Sequence, residues 1–449
     1  MKFSRLSGMI PAILVGSWLI PQVPNLPNTN AVGETSSKTK GAKPDLAELE
    51  ASKGDWSRWR GPLGDGISHE KNLLTEWPSE GPPLAWKCKG LGHGFASVAV
   101  AGGKIYTLGV IEGKSNLICL KVDGGDLVWK LPFGKGDPNC TPTVDGNMIY
   151  AVSRDGGLGA VDVKGKGVWS KEFQKDFGGK EPQWGYSESP LIDGDKLICT
   201  PGSEQHFMVA LNKKTGATIW SLPMADLSKN RGHGGAGYAS PVISNAGGIK
   251  QYVTLTGKGV IGVDANSGKL LWNYDRVANN TASIPTPLVK DNFVFCSSGY
   301  GDGGSALLKI TKVGKEFQAE EVYYYPANKL QNHHGGMILL GDDVYMGHGH
   351  NQGFPVCIKL ADGSDHWRPG RGPGSDSAAI AYADGHLYFR YQDATMALIE
   401  ANPHEYKVTG EFKLPIHNRE SWPHPVIAGG MLYLRDQDDL MCYDIRKKK

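Results

Sequence analysis

Short runs of alternating apolar and β-branched residues, separated by Gly, Asp and Asn, fill nearly the whole chain, and they come in sets. Eight phrases (KIYTL, MIYAV, KLICT, QYVTL, FVFCS, VYMGH, LYFRY and LYLRD) are each followed by a second apolar phrase: LICLKVD, LGAVDV, MVALNK, VIGVDA, ALLKI, VCIKL, MALIEA and LMCYDI. Each pair is introduced by another run, beginning near Ala96, Thr141, Ser189, Ser240, Thr286, Gly336, Ala378 and Pro425. Six copies of a closing phrase, most of them after Asp or Asn and a Gly turn, end on Trp86, Trp129, Trp169, Trp220, Trp272 and Trp367. Period-2 runs bounded by turn residues read as strands, and a recurrence every 40 to 50 residues or so reads as a propeller or related array. One such unit cannot bury its own apolar faces, so the units must stack. The predicted fold is all-β: an eight-bladed β-propeller of four-stranded antiparallel blades, with seven blades as the alternative count.

Two units lack the closing Trp; one ends in Val322-Tyr323-Tyr324, the other in Gly410-Glu411-Phe412. The last unit stops after its third strand at Ile445, whereas Pro83–Lys87 carries a closing phrase with no strands before it. Pairing these two ends completes the last blade and removes the open edges of an unclosed array. The tryptophans are read as structural wedges between neighbouring blades, and the Asp and Gly before them as tight turns. This places the propeller at 83–446. Residues 55–82, with Trp56, Trp59 and Trp77, hold too many indoles for a free linker and are expected to pack on the propeller's side or base.

Composition narrows the picture further. A net charge of +2 gives no field suited to nucleic acid, and the basic residues 447–449 read as a solvated tail. Lys2 and Arg5 followed by an apolar stretch from Met9 to Ile20 resemble a signal peptide, with an uncleaved anchor as the alternative; 21–54 reads as a linker. The expected location is periplasmic or secreted, with membrane contact at most through the N-terminal segment. Seven cysteines is an odd number, and five lie inside apolar strand phrases, as small core residues do.

The repeat, together with DWSRWRGPLGDGIS, WGYSESPLIDGDKLICTPG, GHGGAGYASPV, NHHGG and SWPHPVIAGGMLYLRDQDDLMCYD, resembles the PQQ-like β-propeller family, and in particular secreted members of planctomycete type. The resemblance spans about Asp55 to Ile445. It implies two kinds of activity, because the family includes calcium- and PQQ-dependent alcohol dehydrogenases as well as an outer-membrane assembly scaffold that binds no cofactor. In the dehydrogenases the quinone lies between a Trp floor and a vicinal Cys-Cys disulfide. This chain has no Cys-Cys pair and no CxxCH haem motif.

In a propeller, the segments leading into the inner strands and the turns leaving the second strands open on one face around the channel. At the first position stand His93, Trp184, Tyr186, Glu188, Tyr238, His333, His334, Trp422 and His424. At the second stand Arg154, Tyr300, Asp302, His348, His350, Asn351, Arg390, Asp393, Arg435 and Asp436. Stacking faces, donors and titratable rings from separate blades suit a small ligand or a peptide. The ligand-binding candidates are therefore Arg154, Trp184, Tyr186, Glu188, Tyr238, Tyr300, His333, His334, His348, His350, Arg390, Trp422, His424 and Arg435. Each has a plainer reading. The histidines can bond backbone carbonyls inside the channel. Arg154, Arg390 and Arg435 can pair with Asp155, Asp393 and Asp436. Gly232–Gly237 reads as a loop over the face. Glu188, Asp302 and Asn351 are the candidate calcium ligands, and His333, His334, His348 and His350 a candidate metal cluster without a tight ligand motif. No cofactor is firmly expected, PQQ and calcium being the possible ones. The leading expectation is a scaffold binding a small molecule, peptide or protein; the alternative is a PQQ-dependent alcohol or sugar dehydrogenase, and a metal-dependent hydrolase comes third.

Overall fold

A computed structural model of the chain describes residues 54–448. The segment read as a leader, 1–20, and nearly all of the linker, 21–54, lie outside the described residues. The rest forms eight four-stranded antiparallel blades. Blade 1 runs Ala99–Ala101, Lys104–Ile111, Lys114–Lys121 and Leu127–Pro132 from hub to rim, and blades 2 to 7 repeat this order. Their innermost strands are Thr143–Asp145, Leu191–Asp193, Val242–Ser244, Leu288–Lys290, Met337–Leu340 and Ala378–Ala383. Blade 8 takes Val426–Ala428, Met431–Asp436 and Asp439–Asp444 from the C-terminus and its outer strand, Leu84–Lys89, from the N-terminal side. The pairing runs from Leu84 opposite Tyr443 to Lys89 opposite Asp439, so the ring closes as the pattern predicts.

The closing phrase has a mechanical cause. In all eight blades the outer strand carries a register shift, and the skipped residue is the one before the Trp position. Such a bulge twists the strand and aims the next side chain. Val128, Val168, Ile219 and Val322 are skipped and stay 42 to 47 % exposed, while the ring that follows turns inward. The indole then donates to the neighbouring blade: Trp129 Nε1 to Val163 O at 3.1 Å, Trp169 Nε1 to Lys213 O at 2.8 Å, and Trp367 Nε1 to Asn402 O at 2.8 Å. The turn glycine of the next blade lies flat on that ring. A Cβ at Gly165 would sit 2.9 Å from Trp129, and one at Gly216 2.9 Å from Trp169. Trp and Gly are thus two halves of one joint between blades.

A second joint lies at the hub. The N–H of Ser97 donates to the Thr141 hydroxyl, that of Thr141 to Ser189, and that of Ser189 to Ser240. A belt of hydroxyls therefore links blades 1 to 4. Arg435 clasps the closing seam: from blade 8 its guanidinium donates to Ala96 O, Leu108 O and Gly92 O and to the Thr107 hydroxyl, all on blade 1 or leading into it.

Residues 54–77 cross the ring. Trp56 exchanges backbone bonds with Val100 of blade 1, and Ser57 O accepts from Val144 of blade 2. The guanidinium of Arg60 reaches Met337 O on blade 6, and Ile67–Ser68 runs parallel to Tyr382–Ala383 of blade 7. Blades 2 and 6 face each other across an eight-membered ring, so this arm spans one mouth of the channel. Its last aromatic, Trp77, is 7 % exposed and packs edge-on against Tyr388 and Phe412 of blade 7. Blade 7 has Gly410 at the position of the closing Trp, and a Cβ there would lie 2.6 Å from Trp77 Cβ. The arm supplies the indole that this blade lacks.

Candidate functional site

The arm's edges lie by the turns between first and second strands, which leaves the opposite face open. There the loops of blades 5, 6, 8 and 1 bring a set of rings together. Tyr300 meets His333 at 5.1 Å between ring centres and His350 at 4.9 Å. His333 in turn lies 4.5 Å from His334 and 4.7 Å from His350. His334 abuts Trp422 at 5.4 Å, and Trp422 lies tilted against Phe95 at 4.5 Å. The Arg419 guanidinium lies over Phe95. Phe95 and Arg419 were not among the sequence candidates, although Phe95 follows His93 in the same inner-strand approach.

This cluster is held from behind. His333 Nδ1 is 2.6 Å from the Ser377 hydroxyl, which donates to Asn351 Oδ1 at 3.2 Å; Asn351 donates to Asp376 at 3.3 Å. With the Ser377 hydrogen directed to Asn351, His333 is the donor at Nδ1 and its Nε2 lone pair is left free. Trp422 Nε1 donates to Gln392 at 2.8 Å. Burial, together with the neighbouring imidazoles, lowers the pKa of His333 to about 2; burial and the His424 and His350 rings lower that of His334 to about 3. Burial and the nearby Arg368 bring His348 to about 4. These rings are neutral at pH 7, giving aromatic faces and lone pairs without charge.

The other candidates take different places. Trp184 is 48 % exposed, and its main-chain N–H points to the Tyr238 hydroxyl at 3.5 Å. Both lie beside an open depression of about 950 Å³ among blades 2 to 4, which Glu181, His206, His233 and Tyr238 help to line. The Gly232–Gly237 loop contributes Gly234 and Gly235 to its wall. Tyr186 is buried and donates to main-chain carbonyls at Lys180 and Pro201. His424 is buried beneath the cluster, 4.3 Å from Trp59 of the arm. His348 turns back to the main chain of Gln331.

The three arginines separate, and none of the expected neighbours is its partner. Arg154 pairs with Glu181, not Asp155, at 3.2 Å. Asp155 is occupied by Ser153 and Lys135 N, so the guanidinium crosses to the next loop. Arg390 is fully buried against Asp436 at 3.5 Å and donates to Pro423 O; Asp393 bonds Lys413 and Thr395 instead. Arg435 is occupied by the closing seam. Neither Arg390 nor Arg435 reaches the face, because each is 1 % exposed or less.

The candidate calcium ligands do not form a set. Glu188 is 1 % exposed, with one oxygen accepting from Thr200 N and the other from the Thr200 hydroxyl. Burial raises its pKa to about 7. Asp302 bonds Asn280, and Asn351 belongs to the Ser377 network. Among the described residues no group of three or more His, Cys, Asp or Glu is disposed to hold a metal ion. All seven cysteines are unpaired and six are buried. Arg435, a candidate to hold an anionic ligand group, is committed to main-chain carbonyls and the Thr107 hydroxyl. The side chains do not fit PQQ with calcium.

The comparisons agree with this fold. The family model described as outer membrane protein assembly factor BamB matches residues 56–176 and 163–369, most of the chain, and the chain belongs to this PQQ-like repeat family. Blades 7 and 8 lie mostly outside the match and repeat its geometry. No curated protein sequence matches the chain. Among solved structures, BamB from Moraxella catarrhalis is 14 % identical with a TM-score of 0.56, covering 84 % of this chain and 99 % of that one. A europium-containing methanol dehydrogenase is 13 % identical, TM-score 0.64, covering 87 % and 91 %. Quinohemoprotein alcohol dehydrogenase from Comamonas testosteroni is 12 % identical, TM-score 0.64, covering 91 % and 83 %. At these identities the likeness is one of fold.

Proposed function

We propose that this propeller is an exported binding scaffold whose open face takes a small ligand, peptide or protein partner, and that it is not a quinone-dependent dehydrogenase. One observation carries the reading. The charged side chains suited to chemistry, Glu188, Arg390 and Arg435, are buried and bonded internally, whereas the cluster left at the face is built of aromatic and imidazole rings, with Arg419 over Phe95. Tyr300, His333, His350, Trp422 and Phe95 surround the channel mouth, and Trp184 stands beside the depression. Such surfaces bind by stacking and desolvation around a few polar contacts. The family's BamB member is named for outer-membrane protein assembly, which agrees with a partner-binding role. Export rests on the basic and apolar pattern of the first 20 residues; recovery of the chain in the cytoplasmic fraction with its N-terminus intact would remove it.

The test is a pair of measurements. Adding PQQ and calcium to the purified chain should give no quinone spectrum in the protein fraction and no alcohol-dependent dye reduction; turnover would refute the scaffold reading. Photo-cross-linking from position 184 or 350 in the native host should yield discrete adducts. Tyr300→Ala with Trp422→Ala should abolish them while leaving the melting temperature within a few degrees.

A further inference from the structure

Where the arm crosses the hub it leaves a small void. Arg58 and Trp59 bound it on one side, and Thr143, Ser189, Ser240 and Thr286 at the hub ends of blades 2 to 5 bound it on the other. Its volume is about 10 Å³, the size of one water-sized guest.

The wall sets hydrogen-bond donors among apolar surfaces from Trp59, Pro190, Pro241 and Val242. Arg58 Nε is buried and has no partner. The Ser189 hydroxyl accepts from Thr141 N and the Ser240 hydroxyl from Ser189 N, which leaves each with a hydrogen to donate. Thr143 is excluded because its hydrogen goes to Pro190 O. Farther round the hub, Arg60 Nη1 and Arg390 Nε are buried with no hydrogen-bond acceptor, and carboxylates stand near these arginines: Asp65 lies close to Arg58 and Arg60, and Asp436 Oδ2 is 3.5 Å from Arg390 Nη2.

We propose that this void is a halide site in which one chloride ion accepts from Arg58 Nε and from the Ser240 and Ser189 hydroxyls, clamping the arm to the hydroxyl belt. Water could use the second lone pair of either serine hydroxyl, but it would give the guanidinium only a neutral acceptor. An oxyanion such as sulfate exceeds the volume. A monatomic anion satisfies the donors and gives the guanidinium that the arm carries into the ring a charge-assisted bond.

The test uses the full chain at constant ionic strength, with sodium chloride exchanged for sodium gluconate. A ligand that binds only the folded state raises the melting temperature with its concentration, here by about 2 °C per tenfold rise in chloride for a chain of this size. Bromide should substitute for chloride, and Arg58→Gln and Ser240→Ala should flatten the response. Identical melting in chloride and gluconate would overturn the proposal. Should neither variant fold, crystals of the unaltered chain grown in bromide decide the matter: an anomalous peak within hydrogen-bond distance of Arg58 Nε supports the site, and its absence refutes it.

Discussion

Trp77 offers the sharpest test of how the blades are joined. It fills the indole position of blade 7 from outside that blade, and its Nε1 is buried with no partner. Trp367 of blade 6 is equally buried, at 9 % exposed against 7 %, but its Nε1 donates to Asn402 O at 2.8 Å. Truncation to alanine removes a whole ring from either place and should cost about 3–5 kcal/mol. Replacement by phenylalanine separates them. Each loses about 40 Å² of ring surface, worth about 1 kcal/mol. Trp367→Phe also forfeits a hydrogen bond of about 1 kcal/mol net and leaves Asn402 O unpaired, for about 2 kcal/mol in all. Trp77→Phe instead deletes an unsatisfied N–H whose burial costs about 1–3 kcal/mol, so its net effect should be near zero or stabilising. Urea unfolding followed by circular dichroism gives both free energies from midpoint and slope. Equal costs for the two phenylalanine variants would show that the Trp77 N–H has a partner. A loss below about 1 kcal/mol for Trp77→Ala would show that the arm does not seat in blade 7.

Three other outcomes follow from the geometry. Glu188 has a folded pKa of about 7, above its unfolded value, so its contribution is fully present below about pH 4.5 and is lost as pH rises to 7. Glu188→Gln should therefore gain roughly 3 kcal/mol over the parent at pH 8 and nothing at pH 4, read by urea titration at the two pH values. His334 and His424 move the other way. Burial, with His424 acting on His334 and Arg60 on His424, lowers each to about 3, so the unfolded chain takes up their protons first as pH falls below about 6.5. Each should steepen acid unfolding by about 1.4 kcal/mol per pH unit down to about pH 3, and His334→Gln should flatten that slope. Arg435→Met strips the closing seam of its donors to Ala96, Leu108 and Gly92 and should cost about 3–5 kcal/mol, with hydrogen exchange rising first in Leu84–Lys89 and Asp439–Asp444.

The ring was legible because its causes are local. Strand alternation and turn residues are written inside each repeat, and the unpaired phrase around Trp86 could belong only to the unfinished blade. The site was legible in kind more than in detail. Sequence placed His333, His334 and Trp422 on segments leading into inner strands and Tyr300 and His350 on turns leaving second strands, and the fold joins them because the segment into one blade lies beside the turn out of its neighbour. It could not tell these from Arg390, Arg435, Tyr186 and Glu188, which occupy equivalent positions. Their fate depends on the depth of each loop and on bonds such as that from Arg435 to Leu108 O, 327 positions away. The arm was the least legible part. Its indoles signalled packing, but that Trp77 serves a blade with glycine at the closing position follows only once Gly410 is seen against its Cβ. The missing Trp of blade 7 and the surplus Trp of the arm are therefore one fact. A repeat can drop its wedge when another segment restores it, which makes the arm part of the ring and leaves the opposite face as the one free to bind.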